Sequence, residues 1–336
     1  MEESNFKSIL IITFILIIIQ FPVYSQAKSN ESFKSTPRQD SIINGALNVI
    51  STDSIYSYVM GLTQFKTRFM LADNRRYIAE WIKKKFSCMG YDSVFIDSFS
   101  ITVEWPLRSK NYCTTYQYNV ICTLVGDEKP DDIYVIGAHY DCLTMGESCD
   151  PLMVAPGADN NASGIAICLE IARVLKLIKF KSRGTIQFSA FGAEEFMTMQ
   201  KAGFTGSQHF VNKANKNNAN IKFMIDNNQV GYTTDKSDWK LDFQNNEISL
   251  HITKLAHNIC KKYTSIIPVD ANDHIGYSDS YYFWSNNYPA IFFEEYDFSP
   301  YNFTIEDKPE HINFEYCSEI AKLSCGMLIY SNTIDH

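Results

Sequence analysis

Three short stretches of this sequence carry residue types able to do chemistry together. His139-Tyr140-Asp141 closes an apolar run containing Ile133, Val135 and Ile136. Asp159-Asn160-Asn161 follows Pro156-Gly157-Ala158 and precedes an apolar stretch that starts near Ser163. Glu194-Glu195 follows another run, residues 185–191. An imidazole binds metals, and a nearby carboxylate can orient a neighbouring ligand or base. Of two adjacent carboxylates, one can hold a cation while the other takes a proton from a water. Alone, each pattern reads more readily as an ordinary polar turn. Together they sit where ligands sit in open α/β sheets, beyond the carboxyl ends of strands.

The elements that must position these residues are legible from periodicity. Helical spacing covers 53–65 and, more strongly, 74–89, where Tyr77, Ile78, Trp81, Ile82 and Phe86 share a face and Gly90 follows as a stop. Strands are expected over 91–103, 115–124, 133–139, 185–191, 221–230 and 288–293, with a short extra strand at 239–243. Helices are expected over 165–177, around Gly206-Ser207, over 248–263 and 278–284, and over 312–330. This alternation predicts an α/β sandwich with a mixed, largely parallel sheet.

The chain has 336 residues, 45% of them hydrophobic, enough for one large core. Its net charge of −8 offers no basic stripe, so no nucleic-acid partner is expected. Lys7, an apolar run from Ile9 to Phe21, and the small residues Ser25 and Ala27 predict a signal peptide over 1–27. The mature protein is then expected to be periplasmic or extracellular, without a stable membrane anchor; an uncleaved anchor is the alternative. A polar linker is expected from 28 to about 40, within an N-terminal segment reaching residue 50, with one domain over 51–336. The nine cysteines are an odd number, so at least one stays free or pairs between chains. Cys142 with Cys149, and Cys113 with Cys122, could be bridged.

In matching order from about Ser51 to the C-terminus, the motifs resemble the zinc aminopeptidases of metallopeptidase family twenty-eight. That group includes bacterial leucyl aminopeptidases, with glutaminyl cyclases as relatives. The resemblance is carried by His139-x-Asp141, Ala155-Pro156-Gly157-Ala158-Asp159-x-Asn161-Ala162-Ser163-Gly164, and Ala193-Glu194-Glu195 with Gly206-Ser207. Ser278-Asp279 and Tyr288-Pro289-Ala290 also fit. It implies a three-layer sandwich with helices on both faces of a mixed sheet, and two zinc ions at the strand ends. One zinc would take His139, a bridging carboxylate and a further carboxylate. The other would take the bridge, Glu195 and a late histidine. Glu194 would be the base, and Asp141 would support His139.

Three of the five ligand positions are substituted. The bridge falls on Asn160, the further carboxylate on Asn228 and the late histidine on Phe303. An amide oxygen is neutral and cannot bridge two cations, and phenylalanine offers no ligand. The single-zinc set of the glutaminyl cyclases loses two of its three positions as well. A rearranged shell would need Asp159 and Asp226 beside His139 and Glu195. His209, His274 and His311 read as ordinary surface residues rather than replacements for the late histidine. The expectation is an exported, non-catalytic relative with a peptide-binding or scaffold role and little or no zinc. The alternatives are a working zinc aminopeptidase with a rearranged site or, further off, a glutaminyl cyclase-like enzyme. Tyr281, Tyr282, Phe283 and Trp284 are candidates either for a side-chain pocket or for the core.

Overall fold

The structure is a computed structural model that describes residues 33–106, 109–146, 149–195, 206–235 and 237–334. The expected signal peptide lies outside these residues. Eight strands form one sheet in the order β1-β2-β4-β3-β5-β8-β6-β7. They are β1 (Ser93–Glu104), β2 (Tyr112–Leu124), β3 (Lys129–His139), β4 (Gly184–Phe191), β5 (Asn220–Asn227), β6 (Lys240–Gln244), β7 (Ile267–Ala271) and β8 (Ala290–Glu295). The central strands β4, β3, β5 and β8 run parallel, and β1, β2 and β6 pair antiparallel to their inner neighbours. Helices α1 (Pro37–Leu47), α2 (Thr52–Thr63), α3 (Arg75–Cys88), α4 (Gly164–Leu177), α5 (Gly206–Lys216), α6 (Leu250–Tyr263), α7 (Ser280–Ser285) and α8 (Phe314–Asn332) cover the sheet. The expected mixed α/β sandwich is what the chain forms.

Buried strands explain the apolar runs. Val135, Ile136 and Ala138 on β3 have no exposed surface, and neither do Ile186 and Phe188 on β4. Both faces of these strands are covered, so the pattern is continuous rather than alternating. α4 is buried almost all round, and its first residue is a glycine for a packing reason. A Cβ at Gly164 would stand 2.1 Å from the Asn227 main-chain oxygen. Phe283 and Trp284 belong to a core cluster with Val211, Met224 and Phe292, and Tyr282 packs against it. The 281–284 stretch is therefore core rather than a pocket wall, apart from the exposed Tyr281.

The structure corrects two expectations about the periphery. The expected linker ends early, because Thr36 opens α1 with a capping box shared with Gln39, and Pro37 takes the first turn. Ile43 and Ala46 are then fully buried, and α1 packs on α8. All nine cysteines are free thiols. Cys113 and Cys122 lie nine residues apart on β2, roughly 30 Å in an extended strand, far beyond disulfide reach. Cys142 is buried and donates its S–H to the Ala155 oxygen at 2.8 Å instead of pairing with Cys149.

Candidate functional site

His139 is the last residue of β3, and β3 lies between β4 and β5. Glu194 and Glu195 follow the end of β4, and Asn228 follows the end of β5. Three adjacent parallel strands thus deliver the side chains to one place. The turns there are tight. Ala193, Gln229 and Phe303, none of them glycine, adopt left-handed φ values of 62°, 55° and 59°. Such backbone is held only where its surroundings over-determine it. Asp141 supplies part of that restraint: its carboxylate accepts the Glu194 N–H at 3.0 Å and the Glu195 N–H at 3.2 Å.

Two residues with no sequence signal fix the facing turn. The carboxylate of Asp307 accepts the N–H groups of Asp159 (2.8 Å) and Asn160 (3.1 Å). Arg68, 1% exposed, donates to the main-chain oxygens of Tyr140 (2.7 Å), Pro156 (2.6 Å) and Gly157 (2.6 Å). It therefore ties the end of β3 to the loop that carries Asn160. Arginine suits this job because its planar fork reaches several acceptors at once.

The side chains then pair in a specific way. His139 Nδ1 lies 3.1 Å from the Asp141 main-chain oxygen, and Nε2 lies 3.0 Å from Asn228 Oδ1. Both ring nitrogens face acceptors, which suits the doubly protonated imidazolium. Burial alone would push the ring's pKa down, but the charges of Glu194 and Asp141 hold it well above its ordinary value. Glu195 Oε1 accepts from Asn160 Nδ2 at 2.8 Å, and the same Nδ2 reaches Asn302 Oδ1 at 3.0 Å. Asn302 passes the chain on to Gln229 Oε1 at 3.2 Å. Burial pushes both glutamates up, Glu194 strongly, with His139 partly opposing the rise. Glu194 Oε1 and Asn160 Oδ1 are buried without a hydrogen-bond partner.

A cavity of about 530 Å³ opens beside this cluster. Asn228 and Phe303 line it, together with the apolar Met145, Tyr277 and Phe298 and the polar Asp273, His274 and Glu294. The Phe303 ring also packs against the cluster of Phe69, Leu143 and Ala193.

The model of peptidase family M28 matches residues 119–328, well over half of the chain. The chain belongs to peptidase family M28. A probable aminopeptidase of Saccharomyces cerevisiae is 25% identical over 295 residues, spanning 86% of this chain and 75% of its own length. The LapA aminopeptidase of Legionella pneumophila superposes with a TM-score of 0.72 at 23% identity, covering 92% of this chain and 79% of its own. A glutaminyl cyclase of Bacteroides thetaiotaomicron superposes at 0.69 with 19% identity, covering 83% and 98%. At these identities the two superpositions show the fold.

An M28 zinc pair can be tested against the residues present. Among the described residues, the histidine, cysteine and acidic side chains that converge are His139, Glu194 and Glu195, with ligand atoms within 4.8 Å of one another. The proposed compensating residues do not join them. Asp159 accepts from the Gly231 N–H at 2.8 Å and faces Glu295, and Asp226 is engaged by the Ser278 hydroxyl and the Ser280 N–H. His209 stacks on Phe99 and His311 on Tyr301. His274 binds Glu294 at 2.7 Å. Among the described residues no further carboxylate joins His139, Glu194 and Glu195, and Asn160 meets Glu195 with an N–H. The residues present do not fit two zinc ions.

Proposed function

We propose that this protein is a non-catalytic member of family M28 that binds peptides in the retained cleft. One observation carries the reading: His139 Nε2 lies 3.0 Å from Asn228 Oδ1, an oxygen that can only accept, so this nitrogen carries the proton in our reading. A nitrogen that carries a proton cannot also bind zinc. Asn160, at the bridge position, gives its N–H to Glu195. The amides thus supply hydrogen bonds where cations would sit, so the folded site does not depend on metal. Relatives include a probable zinc metalloprotease and a zinc aminopeptidase. In this chain zinc is absent or weakly held, and Glu194 has no activated water to deprotonate. The leader over residues 1–27 supports export to the periplasm or beyond, the acidic charge of −8 argues against nucleic acid, and no described helix is long and apolar enough to cross a membrane.

A second reading, a metallopeptidase with one ion, is favoured by the convergence of His139, Glu194 and Glu195. It would use the proposed base as a ligand and would require His139 to lose a proton. One experiment separates the two. The protein is purified with added zinc, its metal content is measured, and aminoacyl reporter substrates are offered to it and to Glu194→Gln. The non-catalytic reading expects substoichiometric zinc and no turnover above that of the variant. Chelator-sensitive turnover lost in Glu194→Gln would establish an enzyme.

A further inference from the structure

The cavity beside the site has a composition unlike that of a pocket for an aliphatic side chain. Its apolar part is aromatic: Tyr277, Phe298 and Phe303, joined by the thioether of Met145. Tyr277 is 60% exposed and Phe298 52%, so two rings stand open at the mouth. The same cavity is lined by two carboxylates. Glu294 is 5% exposed and reaches the cavity from the end of β8, while Asp273 is exposed.

The basic residue among the described lining is His274, which is bound to Glu294. Even with that ring protonated, two carboxylates against one imidazolium leave a net negative wall. Asp242, paired with Glu294 across β6 and β8, adds a further carboxyl behind it. A buried amide, Gln244, donates to Asp273 at 3.0 Å and holds it toward Glu294. Aromatic faces attract cations through their quadrupole, and arginine's flat guanidinium both stacks on rings and forks onto carboxylates.

Resting on the peptide-binding reading above, we propose that this cavity receives an arginine side chain of a bound peptide. The guanidinium would stack on Tyr277 or Phe298 and bond to Asp273 and Glu294. The apolar part of the side chain would lie along Met145 and Phe303. A volume of about 530 Å³ is within the range of sites that enclose small ligands, and it leaves room for flanking main chain. Phe303 then has a role of its own: the position holds an apolar wall for the ligand.

The test is calorimetric titration of the mature protein with three capped tripeptides, acetyl-Gly-Arg-Gly-amide and its citrulline and leucine counterparts. Citrulline keeps the shape and removes the charge. The proposal expects the arginine peptide to bind at least ~10-fold more tightly than either, which is about 1.4 kcal/mol. The preference should shrink severalfold in Asp273→Asn and in Tyr277→Ala, both changes at exposed residues. Equal or tighter binding of the leucine peptide, no binding of any of the three, or a preference untouched by both variants would overturn it. Uncapped Arg-Gly-Gly, followed for release of arginine, separates this from the reading beneath it. Release with the arginine preference intact would sink the non-catalytic reading and leave the pocket assignment standing. No release together with no preference would do the reverse.

Discussion

Nε2 of His139 stands 3.0 Å from Oδ1 of Asn228, two residues 89 positions apart in sequence. The imidazole is thereby held between two acceptors, this oxygen and the Asp141 main-chain oxygen. Four consequences can be measured.

Removing the acceptor should cost stability. Asn228→Leu keeps the approximate size of the side chain and leaves the Nε2 proton facing an apolar group in a buried setting. A buried donor without a partner costs about 1–3 kcal/mol. Urea unfolding should show a loss in that range, and the His139 ring should titrate lower by NMR. An unchanged unfolding midpoint would mean that this hydrogen bond does not hold the site.

Removing an acidic charge should cost nothing. Glu194 and Glu195 are adjacent and buried, and burial raises both carboxyl groups above their ordinary range. Glu195→Gln keeps an oxygen for the Asn160 N–H and removes one repulsive charge. The melting temperature should rise or stay level. A clear fall that added zinc reverses would reveal an occupied metal centre.

Stability should fall between pH 5 and pH 8. Burial pushes Asp159 up to about 7 and Asp226 up to about 6, above the usual carboxyl range. In that window the folded chain holds protons that the unfolded chain has lost, so unfolding releases them and is favoured as pH rises. The stabilisation is complete below about pH 4 and gone above the folded values. His139, held above its ordinary value, acts in the same direction. Asp40 acts oppositely but lower, since Lys262 and its neighbours bring it down to about 2 and its contribution is lost only as pH falls through that value. Denaturant midpoints in metal-free buffer should therefore be higher at pH 5 than at pH 8; the reverse order would contradict the buried-acid picture.

Zinc binding should return only when the three substituted positions change together. Asn160→Asp and Asn228→Asp are nearly isosteric, and Phe303→His replaces a ring that packs on Phe69 and Leu143, with some loss of packing. Each change alone leaves at least one protein ligand missing from the pair. Zinc affinity should rise steeply in the triple variant alone, as expected of ligands acting as a unit. Activity should lag behind binding, because Asn302 and Gln229 remain arranged for an amide chain. Equal, weak binding in parent and triple variant would refute the assignment of these positions.

The sequence by itself determined the parallel core and the departure from the zinc pattern. Buried strands must be apolar on both faces, and a ligand position is either a ligand or not. It placed the start of α1 in a polar linker, although Thr36 and Gln39 close a capping box there. It gave no sign of β7, whose five residues are partly exposed and include a proline, so no burial pattern marks them. Only the tertiary structure decided what the substituted residues do. Asn160 meets Asn302 across 142 positions, and Arg68 reaches the Gly157 oxygen across 89. Those meetings depend on which strands lie side by side and where each one ends. Sheet order and register set both, and local sequence spacing carries neither.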